Sequence, residues 1–125
     1  MRIIGLLGGM SWESSAGYYQ MINEAVRAKL GGLHSAKVVL YSVDFQQIET
    51  LQHDGDWQGT AKILVEAAKN IENAGAEFLL ICTNTMHKVA PDIQKAIQIP
   101  IVHIADATAE VLASEGIKTV GLFLK

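Results

Sequence analysis

The feature that most restricts what this chain can fold into is an alternation between two hydrophobic periods. Short apolar runs recur at Ile3-Ile4-Gly5-Leu6-Leu7, Val38-Val39-Leu40-Tyr41-Ser42-Val43, Phe78-Leu79-Leu80-Ile81, Ile101-Val102-His103-Ile104 and Thr119-Val120-Gly121-Leu122-Phe123-Leu124, the first two with β-branched residues prominent. Runs of this length read as buried strands, and the second is expected to be covered on both faces. Between them apolar residues return at every third or fourth position, as amphipathic helices require. Tyr18, Met21, Ile22, Ala25, Val26 and Leu30 form one such stripe, opened by Ser11 or Ser14 as the cap and stopped by Gly31-Gly32. A short helical turn is expected from Phe45 to Leu51, and Trp57 to Asn73 is the clearest amphipathic stretch, closed by Gly75. Asn84 or Thr85 is the expected cap of the next helix, with Pro91 early enough to be tolerated, and Asp106 caps a last one from Ala107 to Ser114.

Strands alternating with helices through short loops specify an α/β fold: an open parallel sheet with helices on both faces and right-handed crossovers. Four complete βα units and a fifth strand are expected. At 125 residues the chain matches a single domain able to bury its own core. Half of its residues are apolar and 18% charged, with eleven glycines and two prolines, which excludes disordered, collagenous and low-complexity chains. A formal net charge of −3 supplies no basic surplus for nucleic acid or an anionic membrane. The single cysteine, Cys82, leaves no internal disulfide and no cysteine-rich zinc site, so a reducing, cytoplasmic setting is expected. The apolar stretch from Ile3 to Met10 is too short and glycine-rich to span a membrane, and it reads as a strand entering a βα turn rather than as a signal peptide.

In open α/β sheets ligands bind beyond the carboxyl ends of the strands, which singles out two loops. Gly8-Gly9-Met10-Ser11-Trp12-Glu13-Ser14-Ser15 has neither the dinucleotide nor the phosphate-loop glycine spacing. It offers two glycines that let backbone approach a ligand, then helix-start N–H groups for an anion. Cys82-Thr83-Asn84-Thr85-Met86-His87 gathers a thiol, two hydroxyls, an amide and an imidazole directly after a strand and at a helix start. Unpaired N–H groups and the helix dipole favour an anion there, so Asn84 and Thr85 are candidates to hold a substrate carboxylate. The same field would lower the pKa of a nearby thiol; the other reading of Cys82 is a strand-end cysteine packed as a small hydrophobe. No second histidine or carboxylate stands at ligand spacing, so no metal site is expected, and His34, His53 and His103 are scattered.

Gly8-Gly9-Met10-Ser11-Trp12-Glu13-Ser14, Gly31-Gly32-Leu33-His34-Ser35, Ser42-Val43-Asp44-Phe45, Cys82-Thr83-Asn84-Thr85-Met86-His87-Lys88 and His103-Ile104-Ala105-Asp106-Ala107-Thr108 together resemble the aspartate/glutamate racemase family, in its broad amino-acid racemase branch. The resemblance runs the length of the chain. It implies a cofactor-independent enzyme, without pyridoxal phosphate, built of two similar Rossmann-like α/β domains whose facing loops enclose one amino acid. The implied reaction is a two-base inversion at Cα, one residue removing the proton from one face and a second returning a proton to the other. In much of the family a cysteine directly precedes the Asn-Thr pair. Matching Asn84-Thr85-Met86-His87 to that pattern puts Thr83 at the catalytic position and leaves Cys82 as the competing candidate, since adjacent strand residues point to opposite faces. A threonine hydroxyl is a far weaker acid than a thiol, so asymmetric or low activity is expected of it.

For substrate binding the resemblance points to Met10, Ser11 and Gln52, with Thr83, Asn84 and Thr85 about the carboxylate. The family's second acid/base cysteine, in a Gly-Cys-Thr-Glu type motif, and a substrate-binding lysine of its second domain have no match here. Residues 1–116 are therefore expected to form the amino-terminal racemase-like domain and residues 117–125 the first strand of a second, with Val120-Gly121-Leu122 repeating Ile4-Gly5-Leu6. The expected ligand is a small, dicarboxylic amino acid, and a homodimer of facing copies is one way to complete the site. The alternative expectation is a non-catalytic domain that binds small carboxylates or associates with a racemase.

Overall fold

Strand β1, Ile3–Gly8, is buried along nearly its whole length because it lies between two other strands and beneath helices on both sides. In the computed structural model, which describes residues 1–83 and 88–102, it is followed by α1 (Trp12–Leu30), β2 (Lys37–Ser42), α2 (Phe45–His53), α3 (Trp57–Asn73), β3 (Phe78–Ile81) and α4 (Ala90–Ala96). The sheet order is β2-β1-β3, all parallel, and Ile101 bridges Leu79 on the outer side of β3.

Strand alternation divides the interior into two cores. Ile4 and Leu6, with Phe78, Leu80 and Cys82, pack against Ile22 and Val26 of α1. Leu7 and Leu79 face the other way, onto Leu64, Ala67, Ala68 and Ile71 of α3, Ile48 of α2 and Ile93 of α4. The α3 side fits closely because β1 carries a glycine there: a Cβ on Gly5 would run into Ile71 and sit 3.0 Å from the Ala76 Cβ. The parallel α/β sheet with helices on both faces is thus the observed architecture. Among the described residues no helix is long and apolar enough to cross a membrane.

Several local expectations are refined. Ser11, not Ser14, caps α1, its hydroxyl accepting from Ser14 N–H at 3.3 Å. The turn expected at Phe45 to Leu51 is a full helix reaching His53, because the Asp44 carboxylate accepts from Gln46 N–H at 3.1 Å and opens it. Helix α3 has the expected bounds. Helix α4 begins at Ala90 with Pro91 in its first turn and no side-chain cap; caps at Asn84 or Thr85 lie outside the described residues. So do the Asp106 helix, the strand over 119–124 and the boundary at residue 116. Strand β2 is the correction. Expected to be covered on both faces, it is the edge of the described sheet, with Leu40 45% and Tyr41 38% exposed. An apolar run encodes compatibility with a strand, whereas burial depends on neighbours, and among the described residues β2 has one strand beside it instead of two.

Candidate active site

Of the expected site residues, Met10, Ser11, Gln52, Cys82 and Thr83 are described, and their backbones come to the carboxyl edge of the sheet. Helix α3 runs back along the strands, since Ile71 abuts Gly5 and a Cβ on Gly75 would lie 3.9 Å from Ile3 Cδ1, so its first residue, Trp57, stands at that edge. Gln52, in the last turn of α2 and partly buried, is therefore at the same edge. The Lys88 ammonium sits 4.8 Å from the centroid of the Trp57 ring, a cation–π contact that ties the segment after β3 to the start of α3.

The glycine loop after β1 is held by contacts that leave room for no side chain. Gly9 has φ +93°, and a Cβ there would enter the backbone of Val43 and lie 2.8 Å from the Ser42 hydroxyl. At Gly8 a Cβ would meet the Ser15 side chain. That side chain explains the loop's shape. Ser15 is 2% exposed; its hydroxyl accepts from Gly9 N–H at 2.9 Å and donates to Ser11 C=O at 3.2 Å. Val43 N–H in turn donates to Gly8 C=O at 2.9 Å, joining the first two strand ends. The sequence reading passed over Ser15, although its place four residues after the capping Ser11 is the helical spacing that returns a side chain to the loop.

Two expected residues turn away from this edge. Met10 is 5% exposed and packs in the α3-side core with Ile48 and Leu64. Cys82 donates its N–H to Leu7 C=O at 2.9 Å, and its thiol is fully buried in the α1-side core. The lowering expected of that thiol is reversed: burial among aliphatic side chains pushes its pKa up to about 12. Ser11 spends one hydroxyl acceptor on its own helix cap. Thr83 follows Cys82 at the edge, partly buried. Asn84, Thr85 and His87 lie outside the described residues. Among the described residues, no three His, Cys, Asp or Glu side chains stand together as metal ligands would. An open groove of about 580 Å³ lies elsewhere, on the flank of α1 between Tyr19, Asn23, Arg27, Leu33 and His34, and no expected site residue lines it.

The sequence profile of the Asp/Glu/Hydantoin racemase family matches residues 7–123. The broad specificity amino-acid racemase RacX of Bacillus subtilis (strain 168) is 24% identical over 125 residues, which cover 96% of this chain and 53% of RacX. Among solved structures, a candidate Asp/Glu racemase from Yersinia pestis is 59% identical with a TM-score of 0.81, over 93% of this chain and 50% of that one. An aspartate racemase homologue from Pyrococcus horikoshii OT3 is 38% identical with a TM-score of 0.75, over the same shares. The aspartate racemase of Picrophilus torridus, 18% identical with a TM-score of 0.65, shares the fold. The chain spans about half the length of RacX and of the Yersinia and Pyrococcus proteins. With the profile running from the end of β1 through the glycine loop and all the elements that meet at the carboxyl edge, the chain belongs to the Asp/Glu/Hydantoin racemase family.

Proposed function

We propose that this chain is one α/β half of a cofactor-independent amino-acid racemase, and that it presents the carboxyl edge of its sheet to a dicarboxylic amino acid. The family match across residues 7–123, together with the gathering of the matched loops at one edge, is what supports the reading. In this reading Asn84 and Thr85 hold the α-carboxylate, Ser11 and Gln52 bound the rest of the substrate, and Thr83 exchanges the Cα proton. The role falls to Thr83 rather than Cys82 because the Cys82 side chain is fully buried in the α1-side core, away from the edge, whereas Thr83 is partly exposed beside it; the hydroxyl, a weaker acid than a thiol, then needs activation to act as a base. Residues 1–116 form the substrate-holding unit and residues 117–125 open the second. A partner or a longer chain supplies the opposing acid/base group.

The buried thiol also favours a second reading, in which the unit binds a small carboxylate without turning it over. Calorimetry separates the two from a domain with no ligand. Aspartate or glutamate is expected to give saturable heat and a thermal upshift that neutral amino acids do not, weakened in Thr83→Ala. Absence of both heat and shift at millimolar aspartate and glutamate would overturn the carboxylate-binding reading, and binding untouched by Thr83→Ala would remove Thr83 from the site.

A further inference from the structure

The ammonium of Lys88 is exposed and rests 4.8 Å from the centroid of the Trp57 ring, a contact that proton transfer at Cα does not use. Both backbones are fixed. Val89 is 1% exposed in the α3-side core and its C=O accepts from Ile93 N–H at 3.0 Å, which anchors the chain directly after Lys88. Trp57 is tied to the end of α2 by a tight connection: Gly55 N–H donates to Gln52 C=O at 3.0 Å, Asp56 N–H to Leu51 C=O at 2.8 Å and Trp57 N–H to Gly55 C=O at 3.1 Å. The ring therefore holds the ammonium on the Gln52 side of the carboxyl edge. An ammonium over an aromatic face keeps donors turned away from the ring and open to an anion.

The charges around it are of the other sign. At the carboxyl edge the described chain carries Glu13 in the first turn of α1, Asp44 and Asp56 as the caps of α2 and α3, and Asp54 in the turn between them. The other described Lys and Arg side chains are remote from this edge: Lys37 opens β2, Arg27 and Lys29 end α1 and Lys95 ends α4, all at the amino edge, while Lys62 and Lys69 lie on the exposed face of α3. Among the described residues the partner of the Lys88 ammonium is the Trp57 ring and not a carboxylate. An anionic group arriving at the described edge thus meets like charge except at Lys88. We propose that Lys88 is a specificity-determining residue that receives the side-chain carboxylate of a dicarboxylic amino acid, and that Trp57 positions its ammonium to do so. This rests on the proposed function, which brings such a ligand to this edge, and adds to it the group that tells aspartate from its neutral analogues.

Calorimetry on the whole chain with aspartate and with asparagine, its neutral isostere, isolates the contribution of the side-chain carboxylate. Lys88→Met is expected to weaken aspartate by about tenfold or more and to leave asparagine as it was, so that the preference between them disappears. Lys88→Arg is expected to keep that preference. Trp57→Leu, which removes the ring face, is expected to weaken aspartate to a smaller extent, and Trp57→Phe hardly at all. Circular dichroism checks the fold of each variant, and Lys88, being exposed, is replaced without opening the core. Aspartate binding by the parent chain is also expected to fall as salt rises, with a flatter dependence in Lys88→Met. If the parent binds aspartate and Lys88→Met keeps the full preference over asparagine, the assignment of Lys88 is overturned while the proposed function stands. Equal weakening of both ligands in Lys88→Met would reduce Lys88 to a structural role and overturn the assignment as well. A parent chain that gives no heat with aspartate would overturn the proposed function itself, and the role of Lys88 with it.

Discussion

At the scale of single residues, two side chains beside the carboxyl edge are buried and face inward. Cys82 is one. Its thiol titrates near 12 when folded against 9.0 when exposed, so the folded state holds the proton more tightly. Stability from this group is therefore complete below about pH 9 and is lost as pH rises from there towards 12, by about 4 kcal/mol at most. Denaturant midpoints of the parent chain minus those of Cys82→Ala, which cancel the lysines and tyrosines titrating in the same range, are expected to fall across that window. A flat difference would mean that the thiol meets water. Ser15 is the other. Removing its hydroxyl in Ser15→Ala leaves the buried Gly9 N–H without its acceptor, and urea unfolding is expected to register a loss of about 1–3 kcal/mol. No loss would show that another acceptor takes the Gly9 N–H.

At the scale of elements, the sequence and the structure part company wherever a residue's surroundings matter more than its own chemistry. The bounds of α3 and β3 were legible because periodicity and the Gly75 stop are local signals; Gly75 indeed has φ +105°, and the structure adds Asp56 as the α3 cap, its carboxylate accepting from Gly59 N–H at 2.8 Å. The cap of α1 was narrowed to Ser11 or Ser14, and geometry alone selects Ser11. For β2 the apolar run marked a strand correctly but said nothing of which strands would flank it, and the described sheet leaves it at the edge. The site was legible in the same uneven way. That the glycine loop and the Cys82 loop would share one edge follows from chain connectivity, which a parallel sheet fixes. That Met10 and Cys82 would turn into opposite cores does not, because side-chain direction just past a strand end depends on how each helix docks.

At the scale of the whole molecule, the consequence of one sheet edge is stereochemical. A substrate resting on that edge, as proposed, meets acid/base groups of this chain from one side. A single hydroxyl that removes the Cα proton and returns one from the same side restores the starting configuration, and inversion needs a donor on the opposite face. In deuterated water the chain alone is accordingly expected to replace Cα hydrogen of L-aspartate by deuterium, slowly and with retention. Proton NMR follows the exchange while chiral chromatography follows the enantiomer. Thr83→Ala should abolish the exchange, whereas Cys82→Ala should leave it in place as long as the fold survives. Supplying in trans the half of the Yersinia pestis relative that this chain does not match is expected to convert exchange into inversion, since the two chains are 59% identical where they do match. Inversion as fast as exchange by this chain alone would mean that it reaches both faces of the substrate unaided, and the one-sided account would fall.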